Sequence, residues 1–125
     1  MSALGWIAFV AAGAVGAPLR YLADGAVGQR TGGVFPWGIL LINVSGSFMF
    51  GLVTALALHH GLGRTPRIVL GTGFCGALTT FSTFSYETVR LMEQGDVTEA
   101  LVNLGVTLVL GGAAAALGLA IPAVI

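Results

Sequence analysis

Lysine is absent from this chain, cysteine occurs once, and Asp, Glu, Lys and Arg together make up only 8% of its 125 residues. Soluble domains carry roughly a quarter charged residues, so this chain has too little charge to solvate a surface. The lone Cys75 excludes an intramolecular disulfide. His59 and His60 stand apart from it in a short connection, which favours interfacial residues over a metal or nucleophile site. Five arginines balance five acids, so no basic footprint for nucleic acid exists. There is no nucleotide motif, catalytic dyad or cofactor box, and an enzyme is not expected.

What the chain does have is apolar length: 56% hydrophobic residues and 20 glycines. An all-α integral membrane protein forming one domain, residues 1–125, is the natural reading, since a helix of about 20 apolar residues crosses a bilayer. Four such spans are expected, at 4–24, at 37–58, from about Pro66 to Met92, and at about 98–120 with Pro122 just past the end. The start "MSALGW" has no basic n-region, so the first apolar run is expected to stay as a span. Trp6 and Trp37 fall at span ends, where interfacial aromatics collect. Most glycines read as small faces that let helices approach closely in lipid.

Orientation follows from arginine placement. Arg30 and Arg90, with Arg20 near the end of span one, stand against Arg64 and Arg67 on the opposite side. This near balance predicts insertion in both directions and an antiparallel two-fold dimer; the alternative is that so few arginines carry no signal.

Polar residues inside spans either bond a neighbouring helix or line a path. Arg20 snorkels or draws anions into a vestibule. Asn43 bonds another helix or offers its amide to a passing ion. Asn103 and Thr107, spaced i, i+4, share one helix face, with Gly111 in the same row. Span three is the anomaly. Gly71, Gly73 and Gly76 weaken its helix, and Thr79, Thr80, Ser82 and Thr83 compete for its backbone hydrogen bonds. A break is expected near mid-membrane, freeing carbonyl oxygens suited to a small cation. Beyond it, Phe81 and Phe84 share a face among hydroxyls, with Glu87 close by.

"GAPLRY", "INVSGSF" and above all "GFCGALTTFSTFSYE" make the sequence resemble the Fluc (CrcB) fluoride-channel family over essentially the whole chain. The resemblance implies a passive, fluoride-selective channel in the cell membrane: an antiparallel dual-topology dimer with two pores and a central sodium ion. It assigns Asn43, Phe81, Phe84, Ser82, Thr83 and Thr107 to the pore, with Asn103 where relatives often carry tyrosine. It places Arg20 in the vestibule, Glu87 at the pore end, and the sodium on the backbone carbonyls of Gly76 and Thr79. The partner is a second copy or a paralogous chain. The main rival, a small dual-topology multidrug or cation antiporter, needs an acid embedded in span one, where this chain has only Asp24 at the expected end. A purely structural membrane subunit would not need the hydroxyl and phenyl track.

Overall fold

The computed structural model describes residues 1–125 as helices and short connections, without a strand. Helix α1 runs Ala3–Thr31 and α2 runs Trp37–His59. The third span is two helices. Its first, α3, is composite: an α-helical turn Arg64–Arg67, a π-helical stretch Ile68–Cys75 and a closing turn Gly76–Leu78. Its second, α4, covers Phe81–Glu93, and α5 covers Val97–Val124. Four units are long and apolar enough to cross a membrane: α1, α2, the α3–α4 pair over Arg64–Glu93, and α5.

Local chemistry sets the ends. Ser2 caps α1, its hydroxyl accepting from the Gly5 N–H at 3.1 Å. Gly32 closes the helix at φ 62°, a left-handed conformation that glycine adopts without a Cβ penalty. Span one therefore extends past the expected residue 24, to Thr31. The "GQRT" tail is polar, but helical hydrogen bonds continue in water; hydropathy marks the edge of the lipid, not of the helix. Arg20 and Asp24 thus lie within α1, ahead of its polar tail. Pro122 is likewise inside α5 rather than beyond it. A proline's φ is helical, and so close to the terminus its missing N–H removes only one bond. The third helix begins at Arg64, which puts Pro66 within its first turn.

Helix α2 is the centre of the protomer. It packs along α5 through two close backbone approaches: a Cβ at Gly51 would collide with the Ala115 carbonyl, and one at Gly118 with the Phe48 carbonyl. Small residues at a helix crossing give the tight packing that substitutes for the hydrophobic effect inside lipid. Gly16 lets α1 approach α3 similarly, at the Phe74 carbonyl. A small core of Ile39, Ile42, Leu78 and Phe84 sits where α2, α3 and α4 converge. Only 23 of 125 residues are buried, so most apolar side chains face outward, as lipid or a partner helix requires.

Charges segregate along the bundle. All five acids (Asp24, Glu87, Glu93, Asp96 and Glu99) lie toward the end where α1 finishes and α5 starts, with Arg20, Arg30 and Arg90. Arg64 and Arg67 occupy the other end without an acid. There the His60 ring meets the Pro122 carbonyl at 2.7 Å, tying the α2–α3 connection to the last turn of α5.

Candidate functional site

The break in span three falls at Thr79 and Thr80, not at the glycines. Thr79 leaves the helix at φ −76°, ψ 158°, and Thr80 is extended at φ −150°, ψ 126°. The glycines instead lie in or at the end of the π-helical stretch, where the Gly76 N–H donates five residues back to the Gly71 carbonyl. Wider turns of this kind cluster at functional sites.

Extended backbone at membrane depth needs partners. Asn43 of α2 supplies both: its Oδ1 accepts from the Thr80 N–H at 2.9 Å, and its Nδ2 donates to the Thr80 carbonyl at 3.1 Å. One amide thus pairs with one residue's backbone as a neighbouring strand would. A second Nδ2 hydrogen remains for another acceptor. Thr80 in turn starts α4, its hydroxyl accepting from the Thr83 N–H at 3.1 Å. The Ser82 and Thr83 hydroxyls turn toward the same Thr80 oxygen, at 3.1 and 3.3 Å. Thr79 bends back so that its N–H and hydroxyl both donate to the Cys75 carbonyl, at 2.9 Å each. Because Thr80's N–H goes to Asn43, the Gly76 carbonyl loses the donor that a continuous helix would give it four residues on.

A cavity of about 620 Å³ opens along this break. Asn43, Gly76, Thr79, Thr80, Phe81, Phe84 and Thr107 line it, and its wall has no charged side chain. The two rings differ. Phe81 is 80% exposed, standing free on the protomer face, whereas Phe84 is 7% exposed and packed in the core cluster. Their centroids are 5.9 Å apart with planes at 50°. An aromatic ring is positive at its edge, so such a wall attracts an anion weakly.

The remaining expected site residues fall outside the cavity wall. Ser82 and Thr83 crowd the cap of α4 beside it. Asn103 lies behind Thr107 and is 1% exposed; its Nδ2 donates to Thr88 Oγ1 at 2.9 Å, and its Oδ1 accepts from the Thr107 hydroxyl at 3.3 Å. Glu87 is held by Arg90, one turn on, whose Nε donates at 3.1 Å. Arg20 is half-buried on α1, away from these groups. Two residues escaped the sequence reading as site residues. Thr80 left a usable signal, a threonine three residues before Thr83 at a helix start. Thr88 left none, because its partner lies on another helix.

Together these features define a four-span membrane protein whose interrupted third span borders an uncharged, largely apolar cavity. Residues 7–119 match the family described as "CrcB-like protein, Camphor Resistance (CrcB)", and the chain belongs to that family. It is similar to the "Fluoride-specific ion channel FluC 1" of Frankia casuarinae, 45% identical across 94% of this chain and 95% of that protein. Likenesses to proteins of the same name from Leifsonia xyli (49% identity; 95% and 87% covered) and Streptomyces avermitilis (50% identity; 74% of each) agree with this.

Proposed function

We propose that this protein is a fluoride-selective passive channel that exports cytoplasmic fluoride. The observation that carries the reading is the uncharged cavity: one uncommitted amide hydrogen on Asn43 and the rings of Phe81 and Phe84, with neither acid nor base. An ion must be held well enough to enter and loosely enough to leave. Ring edges and a single amide donor meet that condition; an arginine in the wall would trap the anion. Proton-coupled cation exchange needs an embedded acid, and the cavity offers none. Relatives named as fluoride-specific channels support the same conclusion.

The physiological logic follows from hydrogen fluoride. The neutral acid crosses membranes and dissociates inside, leaving trapped fluoride. An inside-negative potential then drives the anion out, with about 2.3 kcal/mol per charge per 100 mV.

The working unit is an antiparallel pair of copies carrying two pores. The near balance of arginines at the two ends supports dual insertion. Charge segregation supports the pairing: inversion sets the acid-rich end of one copy beside the Arg64–Arg67 end of the other. Gly76 and Thr79 carbonyls from both copies hold a structural sodium ion on the two-fold axis. The exposed Gly76, whose carbonyl the break deprives of its helical donor, fits that role, since a bare carbonyl oxygen is a hard ligand. Arg20 draws anions toward the vestibule, and Arg90 screens Glu87 at the pore end.

Purified protein in fluoride-loaded liposomes tests the reading with a fluoride electrode and a chloride-loaded control. Fluoride efflux upon adding a potassium ionophore, with chloride retained, is expected. Equal efflux of both anions refutes selectivity, and efflux that requires a proton gradient makes the protein an antiporter.

A further inference from the structure

Thr107 lines the cavity, yet its hydroxyl hydrogen points away from it, donated to Asn103 Oδ1 at 3.3 Å. The chain continues in one direction. Asn103 Nδ2 donates to Thr88 Oγ1 at 2.9 Å, and the Thr88 hydroxyl donates to the Phe84 carbonyl at 2.8 Å. In this arrangement Thr107 shows the cavity only lone pairs, the wrong polarity for an anion.

The surroundings of Asn103 make that polarity reversible. Both of its side-chain partners are hydroxyls, and a hydroxyl either donates or accepts. A half-turn of the amide satisfies the same neighbours. Nδ2 then donates to Thr107 Oγ1, and Oδ1 accepts from the Thr88 hydroxyl. The Phe84 carbonyl loses a side-chain donor but keeps its helical bond from four residues on. Nothing buried is orphaned, and the Thr107 hydrogen is released toward the cavity. The amide is 1% exposed and Thr88 is 6% exposed, so water does not compete for these bonds.

We infer that Asn103 is a positioning residue that sets the hydrogen-bond polarity of Thr107, its amide turning so that Thr107 donates to an anion in the cavity. This rests on the anion-channel reading above. Asn103 acts through Thr107 without lining the cavity, and Thr88 is its counter-partner. The turned amide needs a donor for Oδ1, and only Thr88 provides one.

The test uses the intact protein in fluoride-loaded liposomes, with flux normalised to folded, monodisperse protein. Thr88→Val preserves shape but removes both the acceptor that Nδ2 now has and the donor that Oδ1 needs after the turn, so neither orientation of the amide is completed and Thr107 loses its fixed donor. Thr88→Val and Thr107→Val should each cut fluoride flux about tenfold, Thr88→Ser should restore it, and the double valine variant should fall no further than Thr107→Val alone. A merely structural brace predicts a lower melting temperature with unchanged flux per folded protein, and that result overturns the inference. So do wild-type flux in Thr107→Val or reductions that multiply in the double variant. If Thr88→Val does not fold, Asn103→Leu replaces it. Without the amide, the Thr107 hydroxyl turns to its own i−4 carbonyl, as Thr54 does to Phe50 at 2.8 Å, and the same loss and non-additivity are expected. A wild-type protein that carries no fluoride removes the channel reading and this inference with it, whereas a conducting wild type with multiplying losses removes this inference alone.

Discussion

Replacing Asn43 tests whether the break in span three is held from α2. The Asn43 amide is bonded to both backbone groups of Thr80, 37 residues away in sequence. Leucine has the same size and no polar atoms, so Asn43→Leu leaves the Thr80 N–H and C=O unpaired. Each unsatisfied group costs about 1–3 kcal/mol, giving a combined loss of about 2–6 kcal/mol. That is a large fraction of the 5–15 kcal/mol that ordinarily separates folded from unfolded protein. The expected result is a marked fall in melting temperature and in the yield of monodisperse protein in detergent, with flux lost in what survives. Asn43→Asp separates the two bonds. A carboxylate still accepts from the Thr80 N–H but faces the Thr80 carbonyl oxygen with another oxygen, so stability should fall there too. If Asn43 only meets the ion, both variants lose flux and keep the wild-type melting temperature. That outcome would refute the clamp.

Other expectations follow from the same geometry. Phe84→Ile should lower the melting temperature, because the ring is packed with Ile39, Ile42 and Leu78, whereas Phe81→Ile should leave protomer stability unchanged. Both should reduce fluoride flux at least about tenfold, or about 1.4 kcal/mol of barrier, through loss of the ring edge; normal flux in both removes the aromatic mechanism. Gly118→Leu should abolish folded protein, since even a Cβ collides with the Phe48 carbonyl; a stable Gly118→Leu variant would show that the α2–α5 crossing is loose. A C-terminal tag should be accessible from both sides of the cell membrane, and labelling from one side alone would replace the homodimer by a pair with a paralogous chain.

The four spans were legible because lipid imposes a length and a composition that any window along the chain detects. The break was legible in kind and in its position before Phe81, but not in which of the weakened residues would leave the helix. Glycine-rich sequence marked a weak helix, yet a weakened helix has two outcomes. At Gly71, Gly73 and Gly76 the hydrogen bonds widened to a π pattern and the chain kept going. The interruption came at Thr79 and Thr80, where side-chain oxygens and a distant amide offered the backbone other partners. Local propensity registers the first effect and is blind to Asn43. Asn103 illustrates the same limit. Its i, i+4 pairing with Thr107 fixed a shared helix face correctly, but which of the two would border open space depended on α4 packing over Asn103 through Thr88.

That dependence explains why the polar residues of this chain divide into two tiers. Placing a donor in lipid is costly unless it is bonded, and a donor bonded on every side has nothing to offer an ion. Asn43 resolves the conflict by committing its carbonyl oxygen and one hydrogen to the backbone of Thr80 while keeping a second hydrogen free. Thr107 resolves it differently, with its hydroxyl hydrogen held in reserve by an amide whose other neighbour is a hydroxyl. In the absence of an anion the Thr107 hydrogen is bonded, and only the second Nδ2 hydrogen of Asn43 lacks a protein partner. On the proposed channel reading, a wall built this way needs no fixed charge to admit an anion and presents no fixed charge from which the anion must escape. The break is therefore more than a flaw tolerated in span three: it is what turns a helix surface into backbone that side chains must complete, and completing it orients the donors.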